Sequence, residues 1–76
     1  MNIFEINQAI IDAAIPSYGV ETEQDNGAID VVYLADYEVQ LMDGMIFLND
    51  SCTDNDIAEF ADIESLIAHL KNIIKL

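Results

Sequence analysis

The chain has 76 residues, with fifteen acids against two lysines and no arginine, a formal net charge of −13, and 53% hydrophobic residues. This length allows one domain, whose unstapled core supplies a margin of roughly 3–5 kcal/mol, and the Ile-, Val- and Leu-rich composition excludes the apolar-poor class that stays unfolded. The dearth of cations excludes direct nucleic-acid binding, which needs Lys and Arg to neutralise phosphates, and a lone Cys52 excludes an intramolecular disulfide or a thiolate zinc cluster.

Charge is distributed as unevenly as it is balanced. The acids run from Glu5 to Glu64, and no basic side chain appears before Lys71. Self-repulsion of this size opposes the compact state and raises both attraction to basic partners and the rate of meeting them. The N-terminal stretch contains Glu5 and Asp12, has no basic leader pattern, and precedes no apolar run of membrane-spanning length. The expected protein is therefore soluble and cytoplasmic, with no membrane contact.

In chain order, Ile3, Ile6, Ile10 and Ala14 follow helical spacing, and Asn2 with Glu5 occupies the positions of an N-cap and its return partner. Pro16 pushes the preceding residue out of the α region, so the helix should end near Ile15.

A second periodicity occupies the middle. Ile29, Val31, Tyr33, Ala35, Tyr37, Val39 and Leu41 fill seven consecutive odd positions, the alternation of a β-strand. The pattern fits one long strand from about Ala28 to Met42, the favoured reading, or two shorter strands in phase. Asn26-Gly27 and Asp43-Gly44 are the strongest two-residue hairpin signals, because a type I′ turn needs positive φ at both central residues. The first turn would place Val20 opposite Tyr33 and Thr22 opposite Val31, and the second Leu41 opposite Ile46 and Val39 opposite Leu48. Both select the odd-numbered side of the long strand as the core face.

The opposite face then receives Glu21, Glu23, Asp25, Asp30, Asp36 and Glu38. Glu23 would lie across from Asp30, a like-charge pairing that opposes folding by an amount comparable with the roughly 0.2–1 kcal/mol an opposite pair contributes. Acids on a solvated sheet face can simply discourage edge aggregation, but that device normally uses mixed signs or Lys. Val32, Leu34, Met42, Met45 and Phe47 share this face and require either a covering helix or a partner.

Asp50, Asp54 and Asp56 follow in a polar loop. Read as an EF-hand opening at Asp50, the loop has Cys52 third, Asn55 in place of the sixth-position Gly and Ala61 in place of the twelfth-position Glu, so no metal site is expected. Phe60, Ile63, Ile67, Leu70 and Ile74, widened by Leu66 and Ile73, then mark a core-facing helix. It starts either at Asp62, the preferred cap, with Ile57 to Phe60 as a short strand, or near Asp54 with Thr53 as cap. Lys71 and Lys75 fall in its last turn, where the helix dipole favours cations.

Catalytic machinery is not indicated. His69 lies within the last helical pattern among Leu66, Leu70 and Ile73, Cys52 has acidic rather than basic neighbours and so lacks the cation that activates a thiol, and a chain this short leaves little room for a substrate cleft. The expected fold is α+β: an N-terminal helix, a three- to four-stranded antiparallel sheet and a C-terminal helix in one domain, with no cofactor.

In size, charge and this layout the chain resembles the small acidic inhibitors made by phages and other mobile elements, the anti-CRISPR and anti-restriction proteins that imitate DNA. The resemblance implies a partner that is a basic nucleic-acid-binding protein or complex, such as a CRISPR effector, restriction enzyme or nuclease. Glu21, Glu23, Asp25, Asp30, Asp36 and Glu38 would act as phosphate-like charges, joined by Asp50, Asp54 and Asp56. Two alternatives stand beside it: an immunity protein or antitoxin that plugs a basic nuclease toxin, and a protein whose charge serves solubility or salt adaptation. The protein is expected to be a monomer, or a homodimer pairing through Met42, Met45 and Phe47.

Overall fold

The first helix begins where its cap dictates. In a computed structural model that describes residues 1–22, 29–53 and 56–74, α1 spans Ile3–Asp12. The Asn2 side chain accepts from the Glu5 amide at 3.0 Å and donates to the Glu5 carboxylate at 2.9 Å, the reciprocal arrangement expected from the sequence. The helix stops earlier than Pro16 requires. Ala14 adopts φ of 61°, and the amides of Ala14 and Ile15 turn back to the carbonyls of Ile11 and Ile10. This is a Schellman closure with alanine at the position that glycine usually fills. A Cβ in the left-handed region costs roughly 1–2 kcal/mol. Ala14→Gly is therefore expected to raise stability by about 1 kcal/mol, after glycine's extra unfolded-state entropy is subtracted. Urea unfolding checks this, and a lower midpoint at unchanged slope would refute it.

Five strands follow, more than the expected three to four: β1 Gly19–Glu21, β2 Asp30–Tyr33, β3 Tyr37–Met42, β4 Met45–Asp50 and β5 Asp56–Phe60. They form one antiparallel meander in chain order. The Asp43-Gly44 turn behaves as its sequence demands, with φ of 52° and 76°, and it sets the anticipated pairs Leu41 with Ile46 and Val39 with Leu48.

The favoured long strand does not form. Ala35 and Asp36 make a two-residue connection in which the Leu34 amide bonds the Tyr37 carbonyl at 2.9 Å, so β2 folds back on β3. Such a loop pairs even residues of one strand with odd residues of the other: Val32 faces Val39 and Asp30 faces Leu41. The odd-numbered side is the core face in β3, as expected, but in β2 it is the outer face. Val32 and Leu34 accordingly lie in the core, and Val31 and Tyr33 point the other way.

The pairing of β1 also differs from expectation by one residue. Val20 sits across from Val32, not Tyr33, and Glu21 across from Val31. A one-residue slip exchanges the faces of a strand, and here it lets Val20 join Val32 against the core. The Asn26-Gly27 turn and the proposed facing of Glu23 and Asp30 lie outside the described residues.

The last helix, α2, spans Ile63–Ile73 with Asp62 as N-cap, the preferred reading. A start near Asp54 is ruled out because Asp56–Phe60 is strand. The Asp62 carboxylate accepts from the Ser65 amide at 2.7 Å. That bond, aided by the Ser65 hydroxyl and opposed by slight desolvation, lowers its pKa below the ordinary 3.8. A depressed folded-state pKa gives stability that is fully present above the unfolded value and lost as pH falls through the folded one. An uncharged cap, Asp62→Asn, should therefore differ in stability from the parent at neutral pH, and the difference should shrink as pH falls through the titration of the Asp62 carboxylate. Parallel pH-dependent melts of the two proteins test this, and a constant difference would contradict it.

Both helices pack on one side of the sheet. Ile3, Ile6 and Ile10 of α1 and Leu66 and Leu70 of α2 close over Val32, Leu34, Val39, Ile46 and Leu48. The result is a two-layer α+β domain in which the other side of the sheet is covered by neither helix.

Candidate partner-binding surface

Strand register determines what that open side presents. Across the five strands one row reads Glu21, Val31, Gln40, Phe47, Glu59, and the next reads Gly19, Tyr33, Glu38, Asn49, Asp56. Met42 and Met45 face each other beyond the first row. Each row ends in an acid on β5, and Glu21 closes the first row on β1. The centre is apolar or amide-bearing. Val31 is only 5% exposed, flanked across the strands by the longer Glu21 and Gln40, whereas Phe47 and Met45 are half-buried and Met42 is exposed.

Polar groups on this face are tied together. The Tyr33 hydroxyl donates to the Glu21 carboxylate, a diagonal cross-strand contact that long side chains can span. With its amide oriented so that the nitrogen faces Asp56, the assignment that satisfies both ends, Asn49, 6% exposed, donates to Asp56 at 2.8 Å and accepts from Gln40 at 3.2 Å. These bonds bridge β3, β4 and β5 at the irregularity where the β4–β5 register shifts between Leu48 and Asn49. A satisfied amide at that point holds the bulged edge in place, because leaving it unpaired would cost about 1–3 kcal/mol.

The expected binding residues separate into groups. Glu21, Glu38 and Asp56 do share the open face. Asp30 does not: the β2–β3 register puts it beside Leu41 on the helix side, half-buried. Asp36 occupies the β2–β3 turn, away from the rows. Asp50 ends β4, where its carboxylate accepts from the amides of Cys52 and Thr53 at 2.8 and 3.3 Å, the local Asx bonding that shapes a turn. Glu23, Asp25 and Asp54 lie outside the described residues. The sequence reading missed Glu59, which pairs with Phe47. Its signal was the strand from Ile57 to Phe60, which had been recognised without being assigned a face.

Of the apolar residues thought to need cover, Val32 and Leu34 are core residues, and Met42, Met45 and Phe47 remain on the uncovered face. His69 stacks obliquely on Phe60, ring centroids 5.3 Å apart, as part of the packing between α2 and β5. Cys52 is exposed in a turn. Among the described residues no three His, Cys, Asp or Glu side chains are grouped so as to hold a metal ion, and no helix is long and apolar enough to cross a membrane.

No cation offsets the acids here, since both lysines follow α2's midpoint and the sheet strands contain none. Repulsion across the face should therefore oppose folding at low ionic strength. Raising NaCl from about 0.02 M to about 0.5 M, which shortens the Debye length from roughly 20 Å to 4 Å, is expected to raise the melting temperature by several degrees. A flat or falling salt profile in calorimetry would refute it. The chain matches no protein-family model, and neither a curated protein nor a solved structure is significantly similar to it.

Proposed function

We propose that the protein is an acidic inhibitor, not an enzyme, that binds the positively charged nucleic-acid-binding surface of a host defence complex or nuclease, in the manner of the DNA-mimicking anti-CRISPR and anti-restriction proteins of phages and mobile elements. It acts in the cytoplasm of the host cell. The observation that carries this reading is the open sheet face, where Glu21, Glu38, Asp56 and Glu59 surround Val31, Phe47 and Met45 with no basic side chain among them. Such a face is electrostatically complementary to a Lys- and Arg-lined channel, which speeds association and selects against acidic partners. The charge is of the right order as well. A duplex segment as long as the molecule's greatest extent of 33 Å carries about 19 phosphate charges, against the net 13 here.

A second reading is favoured by the apolar centre of the same face. A compact patch of Phe47 and Met45 within an acidic rim has the anatomy of a concentrated protein epitope, which suits an immunity protein or antitoxin bound to a basic nuclease toxin. One experiment separates the two. Partners are captured from host lysate at low salt, and duplex DNA is added in excess. Displacement by DNA, with affinity falling steeply as salt rises, supports mimicry. Capture of a single small toxin that DNA does not displace supports immunity. No specific basic partner in either arm would leave charge for solubility as the explanation.

A further inference from the structure

A cleft of about 240 Å³ opens at one end of the molecule, away from the sheet rows. Ile15, Pro16 and Tyr18 from the segment after α1 line it, together with Asp36 and Tyr37 at the β2–β3 turn and Ile74 at the end of α2. Its walls are apolar and aromatic, and the one ionisable acid among the lining residues is Asp36.

Two features give this cleft a negative character. Both helices terminate at it: Ile15 and Pro16 follow the C-terminal closure of α1, and Ile74 is the C-cap of α2. A helix C-terminus carries a partial negative charge of about half an electron, felt over the last turn. The last turn of α1 holds no basic residue and ends in Asp12, and the last turn of α2 has only Lys71, which is exposed. The cleft thus combines two helix C-termini and the Asp36 carboxylate with two tyrosines, and aromatic faces attract cations. The turn bearing Asp36 is also fixed, because its carbonyl accepts from the Ser51 amide at 3.0 Å. The carboxylate is therefore presented from an anchored backbone.

We infer that this cleft receives an arginine side chain from a basic protein partner. The arginine methylenes pack on the apolar wall, and its guanidinium meets Asp36 and the tyrosines, a weakly hydrated planar cation being the one that best tolerates such a site. This inference rests on the reading of the partner as basic. It adds an anchor on the opposite side of the sheet's end from the acidic rows, so a partner that holds both must wrap around the β2–β3 turn.

The test uses the whole protein and no partner. Isotope-labelled chain is titrated with N-acetyl-arginine methylamide and, in parallel, with its neutral citrulline counterpart, by two-dimensional NMR. Saturable shifts are expected at the amides of Tyr18, Asp36, Tyr37 and Ile74, with citrulline binding weaker by at least about fivefold. Asp36→Asn, a substitution in an exposed turn, should weaken arginine binding by about threefold to fivefold, and Glu64→Gln, exposed in the first turn of α2, should leave it unchanged. Equal binding of citrulline would overturn the inference. So would unsaturable shifts spread evenly over the exposed acids, or indifference to Asp36→Asn. None of these outcomes bears on whether the open face binds a partner, which is read separately by capture and DNA displacement.

Discussion

Reversing three acids of the open face, Glu21→Lys, Glu38→Lys and Glu59→Lys, is expected to lower affinity for the basic partner by about 10²-fold or more, because each change replaces an attraction with a like-charge contact and such juxtapositions cost several kcal/mol. The same variant should melt no lower than the parent once the lost Tyr33–Glu21 bond is allowed for, since it removes repulsion across a face that has no cation of its own. The matched control makes the same change of six charges on the helix layer through Gln8→Lys, Asp12→Lys, Glu64→Lys and Asn72→Lys, all exposed. There the partner is affected only through the long-range field, which salt screens over roughly 10 Å, and affinity should change by less than about threefold. Titration calorimetry or surface binding at two salt concentrations reads both variants. Equal losses in the two would mean that net charge, and not this face, governs binding.

The largest expected effect on stability comes from the middle of the sheet. Leu48 is fully buried, pairs with Val39 on one side and Ala58 on the other, and lies in the cluster that both helices close. Leu48→Ala removes three buried carbons' worth of contact and leaves a cavity, a change that typically costs 2–5 kcal/mol, about 3 at a site so enclosed. Against a margin of roughly 3–5 kcal/mol for a domain of this size, the variant should be substantially unfolded at 37 °C in low salt. Far-UV circular dichroism with urea titration checks this. A stability loss under about 1 kcal/mol would show that the two layers pack more loosely than the burial of Leu48 indicates.

Much of the architecture was legible because local signals and hydrophobic period agreed. Asn2 with Glu5 and Asp62 marked both helix starts, and Asp43-Gly44 fixed the β3–β4 register to the residue. The errors cluster in β2, for a physical reason. Val31, Val32, Tyr33 and Leu34 are apolar in succession, so alternation could not decide which of them face the core. The Ala35-Asp36 turn has neither glycine nor a residue at positive φ, and so carries no hairpin signature. With that turn hidden, the odd-position pattern ran straight through it, and Asp30 and Val32 were assigned to the wrong sides. The end of α1 was misjudged similarly, because alanine at a left-handed cap leaves no mark in a sequence. On the open face, Glu21 and Glu38 were identified through strand parity, Asp56 was read as a loop acid and proves to open β5, and Glu59 became visible only when β5 was seen to pair with β4.

Parity also explains why the acids do not cost the fold more than they do. The core face of the sheet is apolar except at Asp30 and Asp50 near the strand ends, and the charges on the open face alternate across strands with Val31, Gln40, Phe47 and Asn49. Directly opposed acids are thereby avoided within the described rows. The arrangement keeps a uniformly negative surface compatible with a small core.

Carboxylate footprinting of the captured complex tests the central claim most directly. Carbodiimide labelling read by mass spectrometry reports each acid separately, in the free protein and with its partner bound. Glu21, Glu38, Asp56 and Glu59 should lose reactivity on binding while Glu5 and Glu64 on the helix layer keep theirs. Protection of the helix-layer acids with the open-face acids still reactive would contradict it.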